Sequence, residues 1–285
     1  MEGKTTSLLR VLDEAGFAYA TRKSSAGTPY AGFRWESPES HRERSFTALL
    51  ESEVLRLTLH EPLGRGGTIS AFECLARQRD FPVARLYGAD DRKARLELTA
   101  AVSVHGTELV ADTLTSLLSH LAANADDLLG SASGASRCVP PLQGNTEEFS
   151  IPEVLRLLGF HPSRDRGAYT VNIPLPGLAQ AGHFLVYHLG PGWVRVTACL
   201  HDNNALSLDG LTGELVNQLQ IWAPVGRFVS IEQRDELHLG CEVAAPLLSR
   251  SATDVVADSM RAAIRLLGTA YKQAQQVAGR ERKLR

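Results

Sequence analysis

Helical and strand-like spacings of apolar residues follow one another along the chain, and the same succession occurs twice. The stretch Leu8–Phe17 has apolar residues three or four positions apart, as a helix with one buried face requires. The run Val54–His60 alternates apolar and polar residues singly, which is typical of a strand with one buried face. Residues 1–130 and residues 148–279 therefore each predict the order helix, three strands, short helix, two strands, long helix.

Each of these halves contains five predicted strands. In the first half they are Tyr30–Glu36, Phe46–Glu51, Val54–His60, Val83–Tyr87 and Arg95–Val102. In the second half they are Tyr169–Leu175, His183–Leu189, Trp193–Leu200, Val225–Ile231 and Leu237–Val243. Short polar turns between neighbouring strands predict hairpins, and hence antiparallel sheets.

A repeated hexamer marks the duplication most clearly. FPVARL begins at Phe81 and APVGRF begins at Ala223, 142 residues later. Arg85 and Arg227 occupy the same place in the two copies and alternate with apolar neighbours, so we expect both side chains to face solvent. Residues 131–147 are rich in Ser, Gly and Pro and are interpreted as a linker. Residues 280–285 are interpreted as a solvated basic tail.

Composition and charge narrow the classes of protein. The 285 residues are 44% apolar and carry a formal net charge of -2, so no general attraction to nucleic acid or to an anionic membrane is expected. The N-terminal segment is interrupted by charged residues, which argues against a secretory signal, and no run is apolar for long enough to span a membrane. The four scattered cysteines favour reduced thiols in a cytoplasm over a disulfide framework.

No motif in the sequence indicates a reaction. His60–Glu61 and His201–Asp202 end matching strands, with His183 and His188 nearby in the chain, but their spacing is not diagnostic of a metal site. The glycine-rich segment around Gly64–Gly67 lacks the Lys-Ser/Thr ending of a P-loop, and the sequence leaves open whether it binds an anion. Cys138 is interpreted as an unreactive thiol in the linker. We therefore expect no enzyme, no metal and no cofactor.

Three segments carry a resemblance to a known family. They are EVLRLLGF from Glu153, LTGELVNQLQIWAPVGRFVSIEQRDELHLGCEV from Leu211, and VVADSMRAAIRLL from Val255. With their weaker counterparts in the first half they resemble the YbjN-like family of bacterial sensory transduction regulators. The resemblance implies a type III secretion chaperone-like fold, here α+β with two tandem α-β-β-β-α-β-β-α domains. It also implies a non-enzymatic protein that holds other polypeptides. Two copies in one chain would pack as an intramolecular pseudo-dimer, which is compatible with a monomeric chain.

Four large apolar residues lie outside the expected core stripes or near the ends of elements: Leu9, Leu157, Trp193 and Trp222. Two interpretations of them stay open, namely that they cover the seam between the halves or that they bind an external partner. The leading hypothesis is a cytoplasmic, chaperone-like or regulatory module that captures a segment of a partner protein or peptide. The alternative is a small-molecule or nucleotide sensor, which the glycine-rich loop and a pocket between paired domains would favour.

Overall fold

The computed structural model describes residues 2–284 except for 24–26, 39–40, 52–53, 63–69, 79–80, 82, 90–94, 104–110, 129–148, 166, 176–180, 201–205, 234 and 249. It is a mixed α+β structure with two six-stranded antiparallel sheets, one in each half of the chain. The predicted linker lies outside the described residues, as do Cys138, His201, Asp202 and the Gly64–Gly67 loop.

The described residues of the first half form three helices and six strands. In chain order they are α1 (Glu2–Glu14), β1 (Tyr19–Lys23), β2 (Pro29–Glu36), β3 (Glu43–Glu51), β4 (Val54–Pro62), α2 (Ala71–Arg77), β5 (Arg85–Ala89), β6 (Arg95–Ser103) and α3 (Ala111–Leu128). The strands form sheet A in the order β1-β2-β3-β4-β6-β5.

The second half repeats this order of elements. Its elements are α4 (Ile151–Leu157), β7 (Ser163–Asp165), β8 (Ala168–Pro174), β9 (Ala181–Gly190), β10 (Trp193–Leu200), α5 (Gly213–Trp222), β11 (Arg227–Gln233), β12 (Glu236–Pro246) and α6 (Ala252–Leu284), with a short 3-10 turn at Leu208–Gly210. The strands form sheet B in the order β7-β8-β9-β10-β12-β11, which is the order of sheet A.

The prediction of five strands in each half was wrong by one strand. Each sheet has an additional edge strand directly after its first helix, β1 in sheet A and β7 in sheet B. Both are short and almost wholly exposed, so they carry no apolar alternation that a sequence pattern could reveal. The ten predicted strands all correspond to observed strands, with ends that differ by a few residues.

A glycine follows the first helix of each half and ends it. Gly16 has φ 74° and Gly159 has φ 84°, a conformation that glycine adopts without steric cost. In each case the following phenylalanine donates its backbone N–H to a carbonyl five residues back, Phe17 to Leu12 and Phe160 to Leu155. The chain therefore turns sharply towards the edge strand at the same place in both halves.

One face of each sheet is covered by helices. In sheet A, Leu55, Leu57 and Leu59 of β4 are fully buried, and α1 and α3 lie over this side. In sheet B, α6 lies over β10 and β12, and α4 packs beside it. We call the opposite side the outer face of each sheet; Arg56 and Thr58 of β4 lie there by strand alternation.

The last helix is longer than predicted. Residues 280–284, which were expected to form a solvated tail, continue helix α6. Its counterpart α3 ends at Leu128, a position that corresponds to Ala274 of α6. Helix α6 therefore extends by nearly three further turns.

Candidate functional site: the seam and the α2–α5 surface

The two halves meet along a seam formed by equivalent elements. Helix α2 contacts α5 and β11, α5 contacts β5, and β6 contacts β12. Apolar residues cross between the two cores: Ala71 and Leu75 of α2 belong to the cluster of the second half, while Trp193 and Ala244 belong to that of the first. The seam is thus part of both hydrophobic cores.

Arg85 and Arg227 make reciprocal hydrogen bonds across the seam. Arg85 donates from Nη1 to the Gln220 carbonyl at 2.6 Å and from Nη2 to the Gly226 carbonyl at 2.6 Å. Arg227 donates from Nη1 to the carbonyls of Gln78 and Ala84, both at 2.8 Å, and to that of Phe81. Gln78, Ala84 and Arg85 each precede Gln220, Gly226 and Arg227 by 142 residues, so these hydrogen bonds have approximate two-fold symmetry.

The expectation that Arg85 and Arg227 face solvent was therefore wrong. Each residue is only 2% exposed. Strand alternation correctly places both side chains on the face opposite the core. It carries no information about what covers that face, which here is the other half of the chain.

Two equivalent glutamines complete the backbone contacts of the seam. The Gln220 side chain donates to the Phe228 carbonyl at 2.7 Å and accepts the Phe228 N–H at 3.1 Å. Gln78 accepts the Leu86 N–H at 3.2 Å and donates across the seam to the Phe228 carbonyl. Polar groups buried by the contact of the two halves thereby obtain hydrogen-bond partners.

A carboxylate at the seam has no equivalent at the corresponding position of the first half. Glu242 accepts hydrogen bonds from Arg227 Nε at 3.0 Å and from Thr197 at 3.2 Å, and Arg195 lies 3.6 Å away. Burial acts to raise the pKa of Glu242, but the charges of Arg227 and Arg195 outweigh it and hold the pKa below its usual value. The corresponding residue of the first half is Thr99, which pairs with Thr58 at 3.1 Å.

The structure separates the four predicted apolar site residues. Trp193 is fully buried and lies in the cluster of the other half. Leu9 is half-buried against the cluster of its own half. Leu157 and Trp222 are exposed, at 77% and 56% of their surface.

Two further exposed apolar residues lie on the helices of the seam, Phe72 near Gly213 at the start of α5 and Ile221 beside Trp222 at its end. Phe72 of α2 and Ile221 of α5 are also exposed, and α2 and α5 pack against each other. We call Phe72, Ile221 and Trp222 the α2–α5 surface. The sequence analysis did not single out Phe72 or Ile221, although Ile221 lies outside the buried stripe formed by Leu215, Val216 and Leu219.

His60, His183 and His188, the described histidines considered as metal ligands, each have separate partners. His60 hydrogen-bonds to Thr47 and Glu97, while the neighbouring Glu61 pairs with Arg44 at 3.3 Å. His183 bonds to Asn172, and His188 bonds to the Phe149 carbonyl. In the part of the chain that the structure describes, no three His, Cys, Asp or Glu side chains come together as a metal site.

A buried histidine and asparagine lie one turn apart on α3. Among the described residues, no hydrogen-bond partner is found for Nε2 of His120 or for either side-chain polar atom of Asn124. Burial, with a smaller contribution from the charge of Arg227, lowers the pKa of His120 to about 4. The imidazole is therefore neutral over the ordinary pH range.

Two of the buried cysteines, Cys199 and Cys241, are poor nucleophiles. Burial raises the pKa of Cys199 to about 11 and that of Cys241 well above the usual thiol value. Thiols in such surroundings stay protonated and unreactive near neutral pH.

None of the described helices combines the length and the apolar composition that crossing a bilayer demands. A comparison with protein-family models found no match, and neither did a comparison with curated proteins. The resemblance to the YbjN-like family therefore stays a prediction.

Proposed function

We propose that the protein is a chaperone-like or regulatory binding module, packed as a pseudo-dimer, that captures an apolar segment of a partner protein on the α2–α5 surface. The observation that carries this proposal is the exposure of Phe72, Ile221 and Trp222 on two helices that pack together at the seam. Phe72 lies near the start of α5 and Ile221 and Trp222 lie at its end, so the surface runs along this helix. Extended exposed apolar surfaces are typical of protein contact sites.

The seam supports this surface because it fixes α2 relative to α5. The guanidinium groups of Arg85 and Arg227 each bridge carbonyls of the opposite half. Hydrogen bonds from buried charged donors are stronger than those between neutral groups. A partner segment would thus meet a preformed surface and would bind without the entropic cost of ordering it.

The outer sheet edges are less suited to capturing a peptide strand. β1 ends in Arg22 and Lys23, and β7 consists of only Ser163, Arg164 and Asp165. Short, charged edge strands discourage the addition of a further strand. The other edges, β5 and β11, belong to elements of the seam. The exposed helices are therefore the favoured docking site.

Photo-crosslinking tests this proposal. A photoreactive phenylalanine analogue replaces Trp222 in the full chain, the cross-linked protein is identified by mass spectrometry, and that protein is then purified and titrated. Because truncating a hot-spot aromatic costs about 2 kcal/mol or more, Phe72→Ser and Trp222→Ser should each weaken binding about 30-fold or more.

Leu157→Ser is the control, since Leu157 is exposed on α4 but lies outside the α2–α5 surface. We expect this variant to bind as the wild type does. Unchanged affinity in both α2–α5 variants, or a loss confined to Leu157→Ser, would contradict the proposed docking site.

A further inference from the structure

Three neighbouring side chains on the outer face of sheet A carry a hydroxyl, an imidazole and a carboxylate. Thr47 Oγ1 on β3 is 3.3 Å from His60 Nε2 on β4, and His60 Nδ1 is 3.2 Å from Glu97 Oε1 on β6. The three strands are direct neighbours in the sheet, so the paired backbone fixes the relative positions of the side chains.

The order of these groups determines where the proton of the neutral imidazole resides. An ionised carboxylate can only accept hydrogen bonds, so Glu97 holds the proton of His60 on Nδ1. Nε2 then carries the lone pair and accepts the hydroxyl hydrogen of Thr47. This is the polarity that a general base needs in order to activate a hydroxyl nucleophile.

The second half shows that the sheet does not need these three side chains. Leu59 pairs with Phe46 and Leu98, and its counterpart Ala198 pairs with Phe184 and Cys241. By this register the positions of Thr47, His60 and Glu97 correspond to Leu185, Cys199 and Gly240. The same strand order therefore forms in sheet B without a hydroxyl, an imidazole or a carboxylate at these places.

A cation lies on the other side of Thr47. Thr47 pairs with Thr58 on β4, so His60 and Arg56 flank it, each two residues along that strand and on the same face. Among the described residues, Nε of Arg56 is buried and has no hydrogen-bond partner. Arg195, the counterpart of Arg56 in sheet B, likewise has a buried Nε without a partner among the described residues, while its Nη1 donates to Tyr187 and lies beside Glu242. A guanidinium close to a nucleophile is suited to stabilise negative charge that develops on a carbonyl oxygen.

We propose that Thr47 and His60 form a catalytic site for acyl transfer from carboxylic esters, with Glu97 as the positioning residue of His60. Thr47 Oγ1 attacks the ester carbonyl carbon, and its proton passes to His60 Nε2. The bond from the carbonyl carbon to the alcohol oxygen then breaks, and His60 returns the proton to the departing alkoxide. Water, deprotonated by His60 Nε2, next attacks the carbonyl carbon of the acyl-threonine. The bond from that carbon to Thr47 Oγ1 breaks, His60 returns the proton to Oγ1, and the carboxylic acid leaves.

Burial at the site favours small esters. His60 is 26% exposed and Thr47 is half-buried, whereas Thr58 and Thr99 beside them are buried at the seam. The site thus lies on the outer face of sheet A, beside the part of that face that the other half buries. Its residues are on β3, β4 and β6, whereas the α2–α5 surface is on two helices.

Hydrolysis of p-nitrophenyl acetate by the full chain tests the proposal. General-base activation contributes about 100-fold to 10,000-fold, so Thr47→Val and His60→Gln should each lower the rate by about 100-fold or more. Thr58→Val makes the same chemical change on the facing strand, and its rate should equal that of the wild type. Melting temperatures measured in parallel separate loss of chemistry from loss of folding.

Two further readouts distinguish positioning from structure. Glu97→Gln retains a hydrogen bond but can donate from its amide, which favours the wrong tautomer of His60; the rate should fall while the melting temperature is kept. A fluorophosphonate probe should label the peptide that contains Thr47 in the wild type and leave it unlabelled in Thr47→Val. Equal rates for the wild type and Thr47→Val, or an absence of label on that peptide, would overturn the proposal.

Discussion

The residue with the clearest effect on pH-dependent stability is His120. It is buried on α3, and burial together with the charge of Arg227 lowers its pKa to about 4 in the folded protein, against 6.5 for an unperturbed histidine. Because the unfolded chain binds a proton more readily, the stability that the neutral imidazole provides is fully present above about pH 6.5 and is lost as the pH falls towards 4. His120 therefore makes folding less favourable in mild acid.

Urea unfolding at a series of pH values tests this expectation. Between pH 7 and pH 5, His120 should reduce the free energy of unfolding by about 2 kcal/mol. The matched variant is His120→Leu, since Leu266 occupies the corresponding position of α6. The carboxylates with lowered pKa values, Asp126, Glu242 and Asp258, titrate below this range. Parallel pH dependences of the wild type and His120→Leu would show that this residue is not responsible.

At the scale of elements, the turn before β11 depends on one glycine. Gly226 has φ 73°, and a Cβ atom there would lie 2.4 Å from the carbonyl oxygen of Glu242. Its own carbonyl accepts two hydrogen bonds from Arg85. The turn therefore needs a residue that adopts a positive φ and leaves room for strand β12. Any displacement of the backbone at Gly226 also moves the carbonyl that accepts the hydrogen bonds of Arg85.

Gly192 provides a matched control for Gly226. It has φ 70° in the β9–β10 turn, but nothing lies within 4 Å of the place where its Cβ would be. Gly192→Ala should cost about 1–2 kcal/mol, the penalty of a left-handed conformation alone. Gly226→Ala should cost about 3 kcal/mol or more, because backbone must also move. Equal losses in the two variants, measured by urea unfolding, would mean that the close approach at Gly226 has no energetic consequence.

The elements that the sequence predicted are those that bury one face. An apolar stripe or alternation predicts which side of an element packs against the core. The helix predicted from Leu8–Phe17 and the strand predicted from Val54–His60 are both present, with their apolar sides buried. Strands β1 and β7 bury almost nothing, so no apolar pattern exists to predict them. Local chemistry was also readable: Ser70 and Thr212 accept the backbone N–H groups of Glu73 and Leu215 at the starts of α2 and α5.

The candidate sites were much less predictable than the elements. The alternation of apolar and polar residues identified the outer face of each sheet. The burial of Arg85, however, depends on the position of the other half, which the sequence of a single strand does not predict. The contacts of His60 with Thr47 and Glu97 likewise join three strands, of which β6 follows β4 only after helix α2 and strand β5. Such sites depend on strand order and register, which periodicity alone does not determine.

At the scale of the whole molecule, the shared seam predicts that the two halves unfold together. Leu75 of the first half lies in the core of the second, and Trp193 of the second lies in the core of the first. Neither half can unfold without exposing part of the other core. In the wild type we therefore expect hydrogen exchange of buried amides in α3 and α6 to report the same free energy of opening.

Arg85→Met tests whether the seam carries this coupling. The substitution keeps an apolar stem but removes the donors to the Gln220 and Gly226 carbonyls, which then lose a charged partner within the seam. Leaving buried acceptors unpaired costs about 1–3 kcal/mol each. Because Arg85 belongs to the first half and its acceptors to the second, protection should fall in both α3 and α6. A fall confined to α3 would mean that Arg85 stabilises only its own half, and the two halves would then be independent units on one chain.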